Sequence, residues 1–187
     1  GAPSAIGEMP GTEDLPEGAP AGRGIVVRDT FGDWDVRCSE DESECALHQL
    51  GLDEQENPVI EFSLFRVPEG EEAAALVNIL SPLGTFLPGG VTLQVDSGEK
   101  RQYGFTFCTA IGCIAQIALT DETVASMRRG RSAKLTLASV TAPDEPVEIT
   151  LSLMGFTDGF NALEPAECSR SLRAYRRPGG NFCGYSA

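Results

Sequence analysis

Six cysteines, a single histidine and 28 carboxylates define the side-chain chemistry open to this 187-residue chain. Cys38 with Cys45, Cys108 with Cys113 and Cys168 with Cys183 form three close pairs along the sequence. A zinc site calls for C-x2-C pairs or a tight Cys/His set, and a thioredoxin-like redox centre calls for C-x-x-C at a helix start; the chain has neither spacing. Structural disulfides between the local pairs are the simplest reading, although spacing alone leaves every other connectivity open. His48, the only histidine, would have to serve any Ser/His/Asp or Cys/His mechanism. It lies in a strand-like stretch beside Cys45 and Leu47, where a structural histidine is the commoner outcome. Carboxylates are too plentiful for any one pair to stand out as a glycosidase dyad. Gly89-Gly90 and Gly179-Gly180 lack the flanking strand, helix and lysine of a phosphate-binding loop. No catalytic residue is assigned, and neither a cofactor nor a metal is expected.

The formal charge is −14 and the pI near 4.4. A surface of that sign repels phosphate backbones and anionic headgroups, so nucleic acid is excluded as a partner. No apolar run reaches the roughly 20 residues of a membrane-spanning helix. Structural disulfides imply an oxidising compartment, so the chain reads as the mature, periplasmic or secreted form of an export precursor.

Elements must hold the cysteines in register. From Gly24 onward, short β-branched and aromatic runs alternate with polar residues. Trp34, Val36 and Cys38 share one strand face, and so do Val147, Ile149, Leu151 and Leu153, a period of two that marks an antiparallel sheet with one buried face. Further strands are expected near 44–51, 58–67, 74–80, 91–96, 101–108, 113–119 and 133–140. Asp96-Ser97-Gly98 supplies a tight turn, and the four residues between Cys108 and Cys113 form a hairpin loop in which Gly112 takes a positive φ. One helix runs from Thr120 as N-cap, through Asp121 and Glu122, to Arg128, Arg129 and Gly130. A second helical turn is expected around 158–163.

The fold expected is all-β, an antiparallel β-sandwich of about eight to ten strands with one or two short helices, a barrel being the alternative. Residues 1–23, rich in Pro and Gly, read as a flexible leader, and 24–163 as the sandwich domain. Residues 164–187 read as a basic, disulfide-stapled extension. In that extension Arg170, Arg173, Arg176 and Arg177 form either an interaction epitope or a stretch that lies against the protein's own acidic surface.

Several segments recur in a familiar order: Phe31-Gly32-Asp33-Trp34-Asp35-Val36-Arg37-Cys38, Cys45-Ala46-Leu47-His48-Gln49, Pro82-Leu83-Gly84, Leu87-Pro88-Gly89-Gly90-Val91, Phe107-Cys108, Gly112-Cys113-Ile114-Ala115 and Ser152-Leu153-Met154-Gly155-Phe156. Over roughly residues 31–163 the set resembles the invasion-associated locus B family of exported bacterial proteins. The resemblance implies a small periplasmic or envelope-associated protein with a part in host-cell interaction, and it brings no active site. A non-enzymatic accessory or protein-binding role is therefore expected, its partner unspecified. The alternative is a periplasmic hydrolase using His48 or a carboxylate pair, which requires a deep pocket with converging polar groups.

Overall fold

A computed structural model describes residues 24–165. Eleven strands appear in chain order: β1 (Ile25–Phe31), β2 (Trp34–Ser39), β3 (Cys45–Leu52), β4 (Pro58–Arg66), β5 (Ala75–Ser81), β6 (Val91–Val95), β7 (Lys100–Tyr103), β8 (Phe107–Thr109), β9 (Gly112–Leu119), β10 (Ser132–Ser139) and β11 (Ala142–Ser152). Two helices join them, α1 (Asp121–Arg129) between β9 and β10, and α2 (Phe156–Ala162) after β11. Every pairing is antiparallel.

The strands form one curled sheet in the order β7-β6-β10-β11-β3-β4-β5-β9-β8, with the β1–β2 hairpin attached through β2 to β3. The sheet doubles over because β3 shares one edge between two neighbours: β2 takes Cys45 to His48, while β11 reaches only Leu52. Two arms result. Phe62, Val77 and Ile117 from one arm meet Leu93, Leu135 and Ile149 from the other in a single buried cluster. Among the described residues β1, β7 and β8 each keep one neighbour and one open edge, so the arrangement is sandwich-like rather than a closed barrel.

Alternation explains the layering. Along β4, Ile60, Phe62 and Leu64 are buried while Glu61, Ser63 and Phe65 face outward, the pattern that period two requires. Trp34 is fully buried at the centre, edge-on to Phe62 at 5.6 Å and to Phe156 at 5.5 Å between ring centroids. Helix α1 starts as its sequence requires: Thr120 Oγ1 accepts from the Thr123 N–H at 3.2 Å, acidic residues occupy the first turn and arginines the last.

The strand count departs from expectation in two places. The stretch 101–108 is not one strand, because it crosses between the arms: β7 pairs with β6 and β8 with β9, and the ladder breaks over residues 104–106. β1 is additional, and its first six residues are all exposed, so no buried-face alternation marked it in the sequence. The last long strand also begins earlier, at Ala142, since β10 and β11 pair as a hairpin from Ser139 and Ala142 onward.

Candidate interaction surface

The two ends of the described chain meet in a clasp. Gly32 turns β1 into β2 with φ +56°, and Gly155 turns β11 into α2 with φ +86°. Their backbones are stacked so closely that a Cβ on Gly155 would lie 2.0 Å from the Phe31 carbonyl oxygen, and one on Gly32 would lie 2.5 Å from that of Met154. Asp33 N donates to Met154 O at 3.0 Å, and the Ser152 hydroxyl donates to the Asp33 carboxylate while accepting from the Met154 N–H.

Gln49 closes the seam between the arms. Its amide nitrogen donates to Ser152 O at 3.0 Å and its amide oxygen accepts from Ser152 N at 2.8 Å. The side chain thus stands in for a backbone neighbour where β3 and β11 share a single residue pair.

The cysteines divide into three cases. Cys38 lies opposite Cys45 in the β2–β3 register and is bonded to it, with Cα atoms 4.1 Å apart. Cys108 is likewise bonded to Cys113 across β8 and β9, Cα atoms 3.9 Å apart, and Gly112 in that hairpin takes φ +152°. Cys168 and Cys183, with Arg170, Arg173, Arg176 and Arg177, lie outside the described residues.

The outer face of the larger arm carries two parallel rows. The register sets Asp35, His48, Ser63, Asn78 and Gln116 side by side across β2, β3, β4, β5 and β9. One step along, Leu50, Glu61, Leu80, Ile114 and Phe107 form a second row across β3, β4, β5, β9 and β8. Leu50 is 41% exposed, Phe107 46%, and Ile111 in the adjoining hairpin loop 63%. Glu61 joins the rows, its Oε1 lying 4.0 Å from His48 Nε2. His48 itself is buried, and burial together with the Arg37 charge pulls its pKa below the ordinary imidazole value, against the opposing pull of Glu61 and Asp35.

The apolar row went unread in the sequence. Its signal lies in β5, where Ala75-Leu76-Val77-Asn78-Ile79-Leu80 is almost continuously apolar although one of its faces points away from the core. A strand of that kind either lies under another layer or presents a sticky surface.

A groove of about 410 Å³ opens elsewhere, between the β4–β5 loop, α1 and Phe160 of α2. His48 is not among its lining residues.

The clasp, the seam and both hairpin staples are built from the segments singled out in the sequence. The family model for the invasion-associated locus B (IalB) protein matches residues 34–164. The chain belongs to the invasion-associated locus B family. An invasion protein B homolog of Brucella abortus is 28% identical over 153 residues, covering 80% of this chain and 83% of the relative. Invasion protein B of Bartonella bacilliformis is 26% identical over 159 residues, covering 82% and 81%. The crystal structure of invasion associated protein b from Bartonella henselae matches with a TM-score of 0.61 at 27% identity, covering 71% of this chain and 92% of that one. Among the described residues no helix is long and apolar enough to cross a membrane.

Proposed function

We propose that this member of the invasion-associated locus B family is an exported, non-catalytic envelope protein that binds a protein partner through the outer face of β3, β4, β5, β9 and β8. The observation that carries the reading is the row Leu50–Glu61–Leu80–Ile114–Phe107: exposed Leu50 and Phe107 and half-buried Leu80 and Ile114 in register across the sheet around Glu61, with a polar row on one flank. An apolar centre beside a polar margin is the composition of a protein interface. Export is supported by two disulfides, which persist in oxidising compartments. The relatives' names make a host-cell protein the second class of partner to test, after one in the bacterial envelope.

A photoreactive side chain placed at Leu50, Leu80 or Phe107 in intact cells is expected to give one discrete adduct, and the same probe at Glu148 on the other arm none. Equal labelling from both arms, or no adduct from the row, would sink the reading.

A further inference from the structure

The groove beside α1 lies where the described chain ends. Its floor is apolar, from Val67, Ala73 and Val124, and Glu69, Glu71 and Asp121 are among its lining residues. Phe160, also in the lining, carries two guanidinium groups, Arg66 at 5.1 Å and Arg128 at 4.8 Å from the ring centroid. Arg66 Nη1 also donates to Leu163 O at 3.2 Å, so the cationic end sits at the point where the chain leaves the fold. Asp121 and Arg128 are the opposite ends of one helix, separated by about 10 Å at 1.5 Å per residue. The groove therefore has a polarity, with cations at the exit and a carboxylate of α1 well beyond it.

The sequence beyond the exit has a matching polarity. Glu167 comes first, then Arg170, Arg173, Arg176 and Arg177, with no further acidic side chain through Ala187. Leu172 and Tyr175 fall between the arginines. Residues 24–165 hold 23 of the carboxylate side chains against nine lysines and arginines, so the body of the protein attracts a segment of this charge. At roughly 3.3 Å per extended residue, about ten residues span more than 30 Å, enough to cross the groove.

We propose that the groove is the docking site of the chain's own residues 166–187. Glu167 meets the Arg66–Arg128 end, the arginines from Arg170 onward meet Glu69, Glu71 and Asp121, and Leu172 and Tyr175 cover the apolar floor. The basic segment is then a strap held by the protein itself and not a free epitope.

Trypsin cleavage at Arg170 to Arg177 in the full oxidised chain, followed by mass after reduction, tests this. At low salt the wild type is expected to be cut at least about tenfold more slowly than Glu69→Gln/Glu71→Gln/Asp121→Asn. Added salt should speed the wild type toward the variant, and Asp144→Asn/Glu145→Gln on β11 should behave as wild type. Should the groove variant fail to fold, Arg173→Gln/Arg176→Gln replaces it, and faster amide exchange over residues 67–74 is the expected result. Equal cleavage rates, or unchanged exchange in the arginine variant, overturn the proposal. So does protection that grows with protein concentration alongside a dimer mass, because the groove would then hold a second copy's segment.

Discussion

The clasp at Gly32 and Gly155 and the outer face of β3 to β8 use their residues in opposite ways. In the clasp, backbone lies on backbone, and Asp33, Gln49 and Ser152 hydrogen-bond to one another or to the main chain. On the outer face, leucine and phenylalanine side chains stand in register and are spent on no neighbouring layer among the described residues. The segments that carry the family resemblance supply the clasp, the seam and the staples, whereas of the outer row they include Phe107 and Ile114 but not Leu50, Glu61 and Leu80. A family motif of this kind marks how the chain folds. The proposed partner surface draws mostly on residues that the fold leaves idle.

That contrast can be broken by substitution. Gly155→Ala is expected to have the largest effect, about 3 kcal/mol or more, since an L side chain is strained at this φ and its Cβ would overlap the Phe31 carbonyl. Urea unfolding measures it, and a loss under about 1 kcal/mol would show that the two turns do not depend on each other.

Gln49→Ala removes both seam hydrogen bonds and should lower stability by about 1–3 kcal/mol, read from the same titration. A neutral outcome would mean that the shared core alone holds the arms together.

His48 contributes through pH. Its folded pKa lies below its ordinary value of 6.5, so the unfolded chain takes up the proton first. The stability this supplies is fully present above the ordinary value and is lost as pH falls through it toward the folded pKa. Unfolding midpoints of the wild type should therefore fall more steeply between about pH 7 and pH 5 than those of His48→Gln. Parallel profiles would contradict a desolvated imidazole at that position.

The outer face should be the least sensitive in stability. Leu50→Gln and Phe107→Glu are each expected to move stability by no more than about 0.5 kcal/mol, because both side chains are exposed.

Local chemistry made much of the fold readable in advance. Trp34, Val36 and Cys38 alternate, Thr120 caps, and each cysteine pair in the described residues is a cross-strand neighbour, all of which follow from spacing within a few residues. The break between β7 and β8 was not readable, because a run of strand formers carries no sign that it must change arms. β1 was hidden for a related reason: Ile25, Val26 and Val27 are apolar and yet exposed, so alternation had nothing to report. The outer row needed the register itself. Leu50, Leu80 and Phe107 are remote in sequence, and only β3, β4, β5, β9 and β8 laid side by side make them one surface.

The division between folding residues and binding residues is tested most directly by crosslinking from Leu80 in two folded variants measured side by side. Gln49→Ala is expected to melt earlier yet still form the adduct, while Phe107→Glu keeps the wild-type melting temperature and loses the adduct. An adduct that survives Phe107→Glu, or that disappears with Gln49→Ala while the protein is still folded, would contradict the account.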